Sequence, residues 1–453
     1  MQTHSLRRDL SSRQMRLMAL GSAIGVGLFL GSATVIKLAG PSILLGYLIG
    51  GVVAYFVLSA LGEMAVYKPV AGSFAAYAHE YLGPFMGYVV GWGYWIYWGV
   101  IAVIEVTAVG IYMGLWFPDT PQWIWALAAI LAMGSINFIS VKLFGEFEYW
   151  FALIKVATII GMIAIGLMAI FFGYSHQGIP AGIHHLWDHG GFFPNGFSGF
   201  LLAMPLMLFA YLGVEMIGLS AGEASNPNKT IPDAIHSLSW RILIFYVGAL
   251  FIILSVAPWD RVDQFGSPFV ALFDQVGMRQ AAGFMNFVVI TAALSSCNAG
   301  IFSGGRLLYN LSIQSQAPKS LARLSSHGVP YLAILSIVVF ASVGVCINYF
   351  IPKQAFDYLA YAITLIGLLI WFVILYTHVQ FRKKIGNEGL RNLAYRSKLW
   401  PYSSWIAATM LSVVMVMLVL TKEAIYPLVI LAILFIICIS SYFFIYQKNE
   451  QLK

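Results

Sequence analysis

The sequence predicts an all-α integral membrane protein of twelve transmembrane helices, built as a five-plus-five inverted repeat with helices 1 and 6 broken. Three observations carry that prediction. Of 453 residues, 60% are hydrophobic and only 9% charged, whereas soluble domains carry about 25% charged residues. Apolar runs of roughly 20 residues, the length that crosses a bilayer, recur along the whole chain. Two of these runs carry glycine or proline in mid-span, and a helix break in lipid is tolerated only where the freed backbone lines a cavity or meets a ligand.

Taken in order, a tail over residues 1–16 with Arg7, Arg8, Arg13 and Arg16 precedes the first run and carries no small-residue cleavage site, so it reads as an uncleaved cytoplasmic tail. The first repeat covers 17–172, with spans at 17–38, 42–66, 85–116, 122–140 and 147–172. The second covers 196–380, with spans at 196–220, 237–257, 280–312, 330–350 and 357–380. Two further spans, 401–420 and 424–446, precede a short cytoplasmic tail over 447–453. Between the repeats the loop from Gly222 to Pro232 is polar and punctuated by Pro227 and Pro232, which ends the sixth span sharply.

An even number of spans places both termini on one side. With that side cytoplasmic, the outer face receives only Lys37, Arg261, Arg279, Lys353 and Lys422, and apart from Lys155 every other Lys and Arg falls inside. That asymmetry orients the chain in an inner membrane. It also accounts for the net charge of +7 without a nucleic-acid partner. Trp92, Trp95, Trp98, Trp116, Trp123 and Trp125 crowd the ends of the third and fourth spans as interfacial anchors, with packing inside the bundle as the alternative for Trp95 and Trp98. Cys297, Cys346 and Cys438 all fall in apolar stretches and read as packing, not as a disulfide framework.

The breaks carry the chemistry. In Gly21-Ser22-Ala23-Ile24-Gly25-Val26-Gly27 each glycine costs a helix interior about 1 kcal/mol against alanine, so the helix stops and restarts near Val26. A corresponding interruption follows about 185 residues on, where Met204-Pro205 leads to Phe209-Ala210-Tyr211-Leu212-Gly213-Val214-Glu215. Paired breaks in two halves point to a transport site. Close helix packing through small residues is the bland alternative. Amides of Gly25, Val26 and Gly27, backed by the positive end of the restarted helix, suit a carboxylate. Carbonyls of Ala23, Ile24, Phe209 and Leu212 suit an ammonium.

Intramembrane charge costs at least about 2.5 kcal/mol, which makes each such residue a functional candidate. Lys155 falls well inside the fifth span, with snorkelling to the surface as the competing account. Glu105, mid-way along the third span, either meets the substrate, carries a proton or bonds another helix. Glu215, just past the sixth-span break, either bridges helices during gating or holds the unwound backbone. Gly25-x-Gly27 with Gly31 superficially matches a dinucleotide loop, but no strand precedes it. His184, His185, Asp188 and His189 have a metal-like composition in a solvated external loop, so neither a metal nor a cofactor is expected.

Gly21 to Phe29, Gly40-Pro41, Ala60-Leu61-Gly62-Glu63-Met64, Phe209 to Glu215, and the Gly222-Glu223-Ala224 to Ile231-Pro232 loop together resemble the bacterial amino acid transporter family of the amino acid-polyamine-organocation superfamily. Val106 to Gly114 and Gly182 to Trp187 are most similar to the proline and histidine permeases. The resemblance covers about residues 6 to 385. It implies the broken-helix repeat, an amino acid as substrate bound at the residues named above, Phe209 as an aromatic gate, and Lys155 as a tethered cation standing where related transporters bind sodium. A lysine held in a low dielectric can titrate, so the implied reaction is proton symport by alternating access, with histidine slightly ahead of proline. An exchanger without net proton movement, and an importer of another neutral or aromatic amino acid, share the same residues. A receptor would need a signalling domain, and no nucleophile and base spacing suggests an enzyme.

Overall fold

The computed structural model describes residues 24–446, apart from 71, 140, 174, 177–178, 221–225, 262–266 and 327. The two expected tails and Ala23 lie outside the described residues. Among those described, ten helices are long and apolar enough to cross a membrane: Val26–Tyr67, Pro84–Met113, Gln122–Ile139, Phe144–Phe171, Pro227–Val256, Gly283–Ile313, Tyr331–Phe350, Ala355–Arg391, Tyr402–Leu420 and Lys422–Phe444. Gly196–Phe209 is apolar but shorter. Val26–Tyr67 has 42 residues, about twice what one crossing needs. It bends at Gly40-Pro41-Ser42, between the helices Gly31–Ala39 and Ile43–Tyr67, where Gly40 takes a φ of +57°.

Burial separates an inner set of helices from an outer one. The most apolar windows of Pro84–Met113 and Gly283–Ile313 are 83% and 78% buried, against 28% and 22% for Tyr402–Leu420 and Lys422–Phe444. The first two pack along each other through the centre of the bundle, where small residues let the helices close: Gly300 stands against the Trp98 backbone and Gly304 against Ile337. Trp98 is therefore a core residue, 3% exposed, which decides between the two alternatives the sequence left for it.

Several boundaries depart from the hydropathy reading, each for a physical reason. The fifth helix begins at Val141, earlier than expected, because the acids Glu146 and Glu148 depress a hydropathy average without breaking a helix. The helix Pro227–Arg241 takes in the second half of the polar loop, with Pro227 in its first turn where a missing N–H costs nothing. Helix Ala355–Arg391 continues past the expected end, carrying Arg382 into a buried ion cluster. The short helices Ser73–Leu82 and Pro268–Gln275 were not anticipated. The segment before Gly196 contains a two-residue antiparallel ladder, Ser175–His176 with Ile179–Pro180.

Candidate functional site

At the first expected break the described residues start at Ile24, and the backbone at Gly25 is extended, not left-handed. Gly25 has φ −120° and ψ −169°, and Val26–Phe29 opens a new helical turn from it, with the Leu28 amide bonding the Gly25 carbonyl at 3.2 Å. The carbonyl of the preceding Ile24 accepts from Lys155 Nζ at 3.2 Å. Glycine is required here by close approach. A Cβ on Gly27 would stand 2.9 Å from the Ala210 Cα and 3.2 Å from the Phe209 ring, while one on Gly25 would meet Glu105 Oε1 and Ser296 Oγ, each at 3.2 Å.

The second break lies opposite. Helix Gly196–Phe209, with Pro205 inside it, unwinds through residues 210–215 and resumes at Met216–Ser220. Gly213 takes φ +100°, a conformation open to glycine and strained for other residues. Its amide donates to both oxygens of Glu215, at 3.2 and 3.1 Å. Glu215 also accepts from Tyr94 on Pro84–Met113 at 3.4 Å and from the Trp371 indole on Ala355–Arg391 at 3.2 Å. The Ala210 carbonyl accepts from the Tyr246 hydroxyl at 2.7 Å, and the Phe209 carbonyl from the Leu212 amide at 3.1 Å. Every freed group named here has a partner, as low dielectric demands.

Between the two segments lies a narrow cavity, about 620 Å³ when the open space at its mouth is counted. Of the residues singled out in the sequence, Gly25, Gly27, Glu105, Phe209 and Leu212 line it. The remainder of its wall comes from Trp98, Ile101 and Ile104 of Pro84–Met113, Ala210, Gly213 and Met216 of the second break, Ser296 and Ala299 of Arg279–Ile313, Ile363 of Ala355–Arg391, and Glu148. Mostly apolar walls with a few convergent polar groups suit a small zwitterion. Glu105 is 6% exposed, faces the Val26 amide and Ser296, and its Oε2 has no hydrogen-bond partner. Ile24 and Val26 stand behind the cavity wall. The Ile24 carbonyl, expected to meet a substrate ammonium, is instead engaged by Lys155.

Residues 14–452 match the model of the amino acid permease family. The chain belongs to that family. Among curated relatives from Bacillus subtilis (strain 168), it is 48% identical to the uncharacterized amino acid permease YtnA over 98% of this chain and 96% of the relative. It is 44% identical to the probable threonine/serine transporter YbxG, over 98% and 96% respectively. It is 40% identical to the amino-acid permease AapA, over 100% and 98%. An amino acid permease is a multi-pass membrane transporter, not an enzyme, and an amino acid is its substrate class.

In this permease Lys155 is fully buried and sits behind the first break. Besides Ile24, its Nζ donates to Ser295 Oγ at 3.0 Å, and Ser295 Oγ donates to Glu148 Oε1 at 2.7 Å. Snorkelling is excluded by this geometry, since the ammonium points into the bundle. Glu148 escaped the sequence reading because it fell at the expected edge of its span; two acids, Glu146 and Glu148, between Lys142 and Lys155 were the available clue. A second buried ion cluster was also missed. Glu63 accepts from Arg382 Nε at 2.7 Å, from Arg382 Nη2, and from the Ser397 amide at 2.6 Å, and lies 3.2 Å from His378 Nε2. It fastens Ile43–Tyr67 to Ala355–Arg391 and to the segment that follows.

The loop histidines form local pairs, His189 with Asp260 at 3.4 Å and His184 with Asp188 at 4.0 Å. No metal-holding group occurs among the described residues. Burial, reinforced by His184, holds the His185 ring below the usual imidazole range.

Proposed function

We propose that this permease imports a neutral amino acid across the bacterial inner membrane by proton symport and alternating access. Both termini are cytoplasmic in this reading. Twelve crossings follow if the long Val26–Tyr67 run counts as two and the interrupted Gly196–Ser220 segment as one, arranged as five-plus-five with two added spans. The observation that carries the reading is the pair of helix breaks facing one cavity, with a buried lysine bonded to the backbone of the first.

The substrate carboxylate meets the amides of Gly25 and Gly27, while the Val26 amide, also expected there, is held by Glu105. Its ammonium meets Glu105 and the carbonyl of Leu212. Phe209, packed over Gly27 and Gly31, closes the cavity as the gate. Charged Lys155 bonds the Ile24 carbonyl and favours one orientation of the first break. Losing its proton releases that hold, and a few kcal/mol of differential contact suffices to shift such a population.

For the side chain, the resemblance to proline and histidine permeases favours a compact or ring-bearing neutral substrate, with histidine ahead of proline. Threonine and serine form a second reading, favoured by the name of the YbxG relative and by Ser296 and Glu105 as hydroxyl partners in the cavity. A competition panel of all common amino acids in proteoliposomes decides between them. Strong uptake of lysine or glutamate, uncontested by neutral amino acids, would sink both. Coupling is tested by Lys155→Ala with a pH gradient imposed and sodium absent. Concentrative uptake should fall about tenfold or more while binding persists, and wild-type accumulation in that variant would move the proton elsewhere.

A further inference from the structure

We propose that Glu148 is the cavity-side end of the coupling proton's path, reached from Lys155 through the hydroxyl of Ser295. This rests on the reading of Lys155 as the coupling residue and extends it to a residue that the sequence did not single out.

Three facts of geometry carry the proposal. Lys155 is fully buried and does not line the transport cavity, whereas Glu148, only 2% exposed, does. The two are joined by one directed pair of hydrogen bonds: Nζ donates to Ser295 Oγ at 3.0 Å, and that hydroxyl spends its single proton on Glu148 Oε1 at 2.7 Å. The other carboxylate oxygen, Oε2, is buried, with the Asn298 side chain beside it. A carboxylate that accepts from the serine hydroxyl and belongs to a residue lining the cavity is placed to receive a proton from Lys155 and pass it on.

The transfer balances without any co-reactant. An N–H bond of the Lys155 ammonium breaks as an O–H bond forms on Ser295. The original Ser295 O–H breaks as one forms on Glu148. An ammonium and a carboxylate become an amine and a carboxylic acid, and the serine is restored. Other polar or titratable groups facing this chain are Glu105 from Pro84–Met113, and Cys297 and Asn298 from Arg279–Ile313. Asn298 is held by Asn137 at 2.8 Å, and Glu105 turns towards Gly25 and Ser296.

A mere counter-ion role for Glu148 would not need the hydroxyl, so Ser295 decides the matter. The full-length protein is reconstituted in vesicles holding a trapped pH dye. Uptake of labelled histidine and labelled threonine is then followed together with internal acidification, giving protons moved per substrate. Ser295→Ala and Glu148→Gln should lower that ratio about fivefold or more, with Ser295→Thr within about twofold of the native value. A native ratio in Ser295→Ala, or a Ser295→Thr ratio as low as that of Ser295→Ala, overturns the proposal. Should Glu148→Gln not fold, the two serine variants still decide. Lys155→Ala separates the failures: if it keeps the native ratio, the Lys155 reading itself is wrong; if it loses the ratio while Ser295→Ala and Glu148→Gln keep it, only the relay is wrong.

Discussion

The two helix breaks use the same covalent device and are held in opposite ways. At the first, Gly25 is extended, so no unusual backbone angle demands glycine; what demands it is the approach of Ala210 to Gly27. Its carbonyl partner, Lys155, arrives from another helix and is the residue proposed to give up its proton. At the second, Gly213 needs a positive φ, open space surrounds it, and the partner is Glu215, two residues on in the same chain. Tyr94, Trp371 and Tyr246 then brace that break from three neighbouring helices. A backbone held from outside by a titratable group can be released, whereas one capped by its own carboxylate and braced by neutral donors is a fixed frame. The comparison assigns movement to the first break and constancy to the second.

The largest effect expected from this contrast is at Gly27. A valine there would press on the Ala210 backbone, which cannot rotate away, and overpacking of this kind costs about 1–3 kcal/mol. Separating the two breaks by even a fraction of an ångström should lower transport about a hundredfold, with substrate-induced thermal shift lost and membrane insertion kept. Gly25→Ala meets only the tips of Glu105 and Ser296, which can give way, and should cost no more than about tenfold in affinity. Transport measured side by side would contradict the assignment if Gly25→Ala proved the more damaging.

How much of this was legible in the sequence follows from what each feature costs. Breaks are legible because glycine and proline in mid-span are expensive in any surroundings, and Gly25, Gly27, Pro205 and Gly213 all advertised themselves. Lys155 stood out for the same reason, as an isolated charge far from either end of its span. Glu148 and Glu63 did not, because their importance lies in partners 147 and 319 residues away, Ser295 and Arg382. A hydropathy window sees such acids only as the edge of a span. Trp98 was left between interface and core by the sequence: tryptophan is common at interfaces, and only packing against Gly300 distinguishes a core indole from a boundary one.

A smaller effect is expected at Glu215. Glu215→Gln leaves one acceptor where two oxygens now receive the Gly213 amide, Tyr94 and Trp371, and turns an N–H₂ towards donors. One unsatisfied buried group costs about 1–3 kcal/mol, so the melting temperature in detergent should fall clearly. Protons moved per substrate should stay near the native value, since the residue frames the break without carrying the coupling proton. Loss of that ratio with an unchanged melting temperature would show that the second break also moves with the proton.

The smallest effect separates backbone strain from steric fit at the second break. Gly213 has φ +100° and nothing within 4 Å of the position a Cβ would occupy. Gly213→Ala therefore introduces no clash, and its whole cost is the strain of an L-residue in that region, about 1–2 kcal/mol. Against this runs a gain, because alanine restricts the unfolded chain more than glycine does, worth about 0.4–1 kcal/mol where the native angles permit it. Here they do not, so strain should win and the net loss should be small. If the second break is a fixed frame, the same angles persist through the cycle, and the penalty falls equally on every state. Stability should then drop slightly while the rate of uptake and the affinity stay within about twofold. A variant with normal stability and strongly altered turnover would mean that Gly213 leaves the positive-φ region in one of the states, so that the second break flexes as the first does.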